Sequence, residues 1–210
     1  MTADGSNSSR APRRSKTDVV DAALVLLDRV GLPDLSMRRL ADELGVQPSA
    51  LYWHVESKQE LLAAVSARIL APVTEDASFA ATVQPGEAAR VLGERLHDRL
   101  LAHRDGAEVV SSSLALGLVD SPLHLALAER YPDAGQAPQV LADAVTHFVV
   151  GYTFHEQQRT AADTFGAVAR TAALTPADAT SGRADPFAAA LGLITAGAEL
   201  PAASEYSARR

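Results

Sequence analysis

The chain has 210 residues, 47% apolar but only 5% aromatic, and no cysteine. That length can bury a real core, while the lack of cysteine excludes disulfides, thiolate metal sites and cysteine nucleophiles. The net charge of −7 is unevenly placed: residues 1–72 carry nine Lys/Arg and nine Asp/Glu, residues 73–210 ten and seventeen, so a locally basic surface belongs in the first third of the chain.

Residues 1–14 are polar, with Ser, Gly and Pro. They predict a disordered basic arm, either inert or touching a DNA backbone or minor groove through Arg10, Arg13 and Arg14. There is no apolar leader and no apolar run near the ~20 residues that span a bilayer, so a soluble, cytoplasmic protein without membrane contact is expected. Alanine and leucine dominate the apolar share and β-branched runs are scarce, which predicts an all-α fold.

The first helix is expected from Ser15 or Thr17, with Val20, Ala23, Leu24, Leu27 and Val30 on its buried face and Gly31 and Pro33 ending it. Ser36 caps a second helix whose apolar face is Met37, Leu40, Ala41 and Leu44, stopping at Gly45. Pro48 to His54 fits a short third helix. Ser57-Lys58-Gln59-Glu60 reads as a capping box opening a fourth, which ends before Pro72. Residues 73–86 read as a loop. Further helices are expected over Glu87–His103, Asp105–Leu118, Ser121–Arg130, Pro138–Thr160 and Pro186–Leu200, with a turn at Tyr131–Gly135 and a loop over 174–186.

Leu40-Ala41-Asp42-Glu43-Leu44-Gly45-Val46 has helix-turn-helix character. Ala41 is small where two helices cross, Gly45 permits a positive φ, and Val46 returns to the core. The segment Leu51-Tyr52-Trp53-His54-Val55-Glu56-Ser57-Lys58 then resembles the recognition helix, and the start of the next helix, of TetR-family regulators. Val19 to Leu62 aligns with that pattern without gaps. The resemblance implies that residues 15–62 form a DNA-binding domain, joined by the fourth helix to an effector-binding and dimerisation domain over 63–210, with Arg104-Asp105-Gly106 as a hinge behind that helix. It places Ser36 and Arg38 near phosphate and a base edge, where an Arg can pair bidentately with guanine. Gln47, Pro48, Ser49 and Ala50 would open the recognition helix. Tyr52, His54 and Lys58 would meet the DNA backbone. Leu51, Trp53 and Val55 are expected in the core.

The second half resembles the tetracycline repressor subgroup at Arg104-Asp105-Gly106-Ala107, His147-Phe148, Gly151, Gln157-Gln158 and Phe187 to Gly197. Its departures are informative. Val110 replaces one metal-binding histidine, His155 replaces the carboxylate with Glu156 next to it, and Val73 replaces a drug-holding histidine, whereas His147 is retained. Magnesium prefers hard oxygen ligands, so a small organic effector without metal, and no cofactor, is expected. Its lining would include His97, Leu101, Leu114, His147, Phe148, Gly151 and His155, in a pocket of apolar walls with a few polar groups. His147 reads equally well as a core or interface histidine, and Ser111-Ser112-Ser113 as pocket-facing or solvated. Ala188, Ala189, Ala190, Gly192, Ala196 and Gly197 permit close helix approach, and the resemblance implies a homodimer through a four-helix bundle. The implied function is a repressor on a palindromic double-stranded DNA operator, released by its effector. A constitutive DNA-binding regulator is the alternative. No HExxH, GxSxG, P-loop or GxGxxG motif suggests an enzyme, and no catalytic residue is expected.

Overall fold

The computed structural model describes residues 15–75, 83–164 and 185–197, and these are helical with no strand among them. The arm over 1–14, residues 76–82 of the loop expected over 73–86, residues 174–184 of the loop expected over 174–186 and residues 198–200 of the last expected helix lie outside the described residues. The helices are α1 (Lys16–Val30), α2 (Met37–Leu44), α3 (Pro48–Leu51), α4 (Lys58–Leu70), α5 (Pro85–Leu101), α6 (Gly106–Ala115), α7 (Pro122–Arg130), α8 (Ala137–Thr164) and α9 (Pro186–Ala196), with a 3-10 turn at Ala71–Val73.

Local chemistry sets the ends. Ser15 Oγ accepts from Asp18 N at 3.1 Å while Asp18 Oδ2 accepts from Ser15 N at 2.7 Å, a complete capping box on α1. The box expected at α4 is rearranged. Ser57 Oγ caps Glu60 N at 3.0 Å, but the Glu60 carboxylate reaches past the cap to Glu56 N and to Lys16 Nζ, the latter at 2.7 Å. Gly45 ends α2 with φ 65°, ψ 35°, and Val46 N closes onto Ala41 O at 3.0 Å. A Cβ at Gly45 would meet nothing within 4 Å, so its requirement there is conformational rather than steric.

Several boundaries differ from the sequence expectation. α3 is a single helical turn, after which His54 N and Val55 N both bond back to Leu51 O. α5 starts two residues early because Pro85 occupies a first-turn position, and it stops at Leu101. α6 ends at Ala115, before Gly117 at φ 63°. α8 runs to Thr164, and the described α9 ends at Ala196. On α1 the buried set is Val19, Val20, Ala23, Leu26 and Leu27, with Leu24 and Val30 only half-buried. The helix is turned slightly from the expected face because it packs against both α2 and α4.

α5 is the hub of the larger part and packs on α8, α9, α7 and α6 through Ala88, Ala89, Leu92, Leu96 and Leu100, all 0% exposed. Gly93 lets α8 and α9 close in, since a Cβ there would stand 2.9 Å from Val145 Cγ1. α4 packs on α1 and also on α6, so it belongs to both halves of one continuous core.

Candidate nucleic-acid interface and aromatic core

The helix-turn-helix presents Ser36, Arg38, Gln47, Ser49, Tyr52 and Lys58 at or near its surface, with Pro48, Ala50 and His54 beside them. Ser36 Oγ accepts from Arg39 N at 3.2 Å to cap α2, which leaves its hydroxyl proton free to donate. Most cations of this region are neutralised within the chain. Lys16 pairs with Glu60, Arg39 with Asp34, Arg68 with Asp21, and Arg29 lies against Glu43 through two guanidinium nitrogens. The hydrogen-bonded Arg29 guanidinium holds the Glu43 carboxyl below its ordinary value, and Lys16 does the same for Glu60. Arg38 and Lys58 have no such partner among the described residues. Among the described residues of the region, two uncompensated cations therefore stand on the face expected to read DNA.

Trp53 corrects the sequence expectation. Leu51 and Val55 are buried at 1% and 0%, but Trp53 is 89% exposed. Leu51 and Val55 sit four residues apart and point into the core together, while Trp53, two from each, projects outward beside Tyr52. That spacing of four was readable in the sequence.

Behind this region, the α5–α6 corner meets the end of α1. Arg104 N donates to Asp28 Oδ1 at 3.1 Å, His103 Nδ1 lies 3.1 Å from Asp28 Oδ2, and Leu32 N donates to Asp105 Oδ2 at 2.7 Å. Asp105 takes φ 55°, the sole positive value at a non-glycine among the described residues. From the other side, the Gln157 amide of α8 donates to Leu100 O and His103 O at 2.9 and 2.8 Å and accepts from Ala107 N at 3.1 Å. Between α4 and α6, Ser66 Oγ lies 2.8 Å from Ser113 Oγ, and both hydroxyls reach Val109 O. Of the serine run, Ser113 is thus buried while Ser111 and Ser112 are exposed.

The residues expected around an effector are only partly brought together. His97 and Phe148 join an aromatic core with Tyr152 and Phe187. The His97 ring stacks on Phe187 at 3.8 Å between centroids and 16° between planes, and Phe148 and Tyr152 lie 5.8 and 5.3 Å from the same ring. His97 Nε2 is 2.9 Å from Glu156 Oε2. Burial first, then the nearby carboxylates of Glu156 and Asp185, push the Tyr152 hydroxyl above its ordinary value. Leu114 is half-buried on α6, and Leu101 is exposed where α5 ends. His147 and His155 are exposed on α8 with half-buried Gly151 between them. His147 Nδ1 lies 2.6 Å from Asp143 O, an i−4 contact that leaves Nε2 outward. Val73 and Val110, the sites of the replaced histidines, are fully buried. Tyr152 was missed because an aromatic residue on an apolar helix carries no signal of its partner across the core.

The family of bacterial regulatory proteins described as the tetR family matches residues 19–65. The class D tetracycline repressor protein of Escherichia coli is 31% identical over 154 residues, spanning 71% of this chain and 70% of that protein. The crystal structure of Mycobacterium smegmatis BioQ superposes with a TM-score of 0.72 at 36% identity, over 89% of this chain and 98% of that one. BioQ bound to its double-stranded DNA operator gives 0.61 at 39% identity, over 74% and 94% of the two chains. A variant of TetR from Acinetobacter baumannii AYE in complex with minocycline gives 0.66 at 26% identity, over 88% and 96%.

Proposed function

The chain belongs to the TetR family of bacterial regulatory proteins, and from that premise we propose that it is a cytoplasmic transcriptional repressor, not an enzyme, that binds a palindromic double-stranded DNA operator as a homodimer and leaves it when a small organic effector binds. The observation that carries the reading is the charge arrangement at the helix-turn-helix, where Arg38 and Lys58 stay uncompensated beside exposed Tyr52 while neighbouring cations are paired within the chain. Arg38 reads a base edge, Gln47, Pro48, Ser49 and Ala50 face the groove, and Ser36, Tyr52, His54 and Lys58 hold the backbone. The dimer forms through outward faces of α8 and α9, where Val140 and Leu193 are exposed.

The test is a salt-titrated mobility-shift assay on a palindromic operator. Lys58→Ala is expected to weaken binding and reduce the slope of log affinity against log salt by about one, as one lost phosphate contact requires. An unchanged affinity and slope would count against the interface.

Effector entry would occur at the aromatic core, with His97 and Phe148 as contacts and Leu101, Leu114, His147, Gly151 and His155 completing the site in the dimer. One observation favours a second reading, a constitutive regulator. Phe187 fills the space between His97, Phe148 and Tyr152. Screening organic ligands for a thermal shift that Phe148→Ala abolishes separates the two.

A further inference from the structure

A groove of about 380 Å³ lies between the C-terminal half of α4 and the α6–α7 connection, away from the aromatic core, none of whose rings lines it. Ala67 and Ala71 form one wall over a floor of Leu70, and Leu118, Leu125 and Asp120 form the other. Leu118 and Leu125 remain 46% and 60% exposed, with Leu116 at 65% beside them. Exposed apolar side chains along a groove leave a surface that an apolar ligand could cover.

Size selects the kind of occupant. The volume falls within the ~300–1,000 Å³ of small-molecule sites. A stable protein interface buries roughly 800 Å² on each partner, far more than nine lining residues present. Charge selects its chemistry. Asp120 is the sole ionisable group in the lining, and no hydrogen bond or ion pair engages it among the described residues. A carboxylate at the rim of an apolar groove attracts an ammonium group and repels an anion, while the apolar side chains of Ala67, Leu70, Ala71, Leu118 and Leu125 favour an apolar ring.

We propose that this groove binds a small organic cation, an apolar ring system bearing one ammonium group that pairs with Asp120. The inference does not depend on the repressor reading.

Two fluorescent probes test it on the full-length protein, each followed by its blue shift on entering an apolar site. Dansylcadaverine carries the ring with an ammonium, and dansyl-aminohexanoate carries the same ring with a carboxylate. The cation is expected to bind saturably and about tenfold tighter than the anion, because reversing the charge counts a surface pair of this strength twice. Asp120→Asn should bring that ratio close to one while retaining binding. Ala67→Phe, placed on an exposed part of α4, should abolish saturable binding of both probes with the circular-dichroism melt unchanged. Absence of saturable cation binding, a preference that survives Asp120→Asn, or binding that survives Ala67→Phe would each overturn the proposal. Operator binding is read separately, so its loss would sink the repressor reading and leave this site standing.

Discussion

Trp53 and Glu60 show how much a single residue's setting decides. Trp53 is the chain's one tryptophan, and at 89% exposure it contributes almost nothing to the core. Trp53→Ala is therefore expected to change stability by no more than about 0.5 kcal/mol, as for other surface positions, whereas Leu51→Ala should cost about 2–5 kcal/mol. Native protein should emit as a water-exposed indole, and a blue-shifted native spectrum would contradict the exposure. Glu60 accepts from Lys16 and Glu56 N, which hold its carboxyl below the ordinary 4.5. The folded chain binds that proton more weakly than the unfolded one. The contribution is thus complete above the ordinary carboxylate range and lost as pH falls through the lowered value. Melting temperatures of wild type and Glu60→Gln should differ at neutral pH and converge in acid; a gap that persists in acid would assign the effect to packing.

Among elements, the short connections hold the most informative geometry. Gly45 and Gly106 are both helix-end glycines, yet they are needed for different reasons. At Gly45 a side chain has space and only the left-handed backbone opposes it, which costs roughly 1–2 kcal/mol. At Gly106 a Cβ would stand 2.6 Å from Leu100 O, a backbone atom that cannot step aside without moving the end of α5. Gly106→Ala should therefore destabilise more than Gly45→Ala in denaturant melts, and the reverse order would refute the corner geometry. The same corner ties α1, α6 and α8 together through Asp28, Asp105 and Gln157. The sequence marked Arg104-Asp105-Gly106 as a hinge, but Asp28 and Gln157 lie 76 and 53 positions from Arg104. Nothing in local pattern joins residues so far apart.

At the scale of the whole molecule, α8 and α9 turn Val140 and Leu193 outward at 63% and 79% exposure. If these faces pair two subunits, Leu193→Glu should shift sedimentation toward a monomer and weaken operator binding together, since one reader alone spans one half-site. A dimer that survives the substitution would move the interface elsewhere. The amino-acid sequence by itself determined the helical class, the cap residues Ser36 and Ser57, the glycine stop at Gly45 and the helix-turn-helix, and left the start of α1 between Ser15 and Thr17, because caps, turns and amphipathic periods act within a few residues of each other. Only the tertiary structure decided that Arg38 and Lys58 stay unpaired among the described cations of the helix-turn-helix, that Phe187 fills the aromatic core, and that a carboxylate stands unpaired at the α4–α7 groove among the described residues. Each of those depends on which side chain arrives from another helix, and charge pairing, ring stacking and burial act through space rather than along the chain.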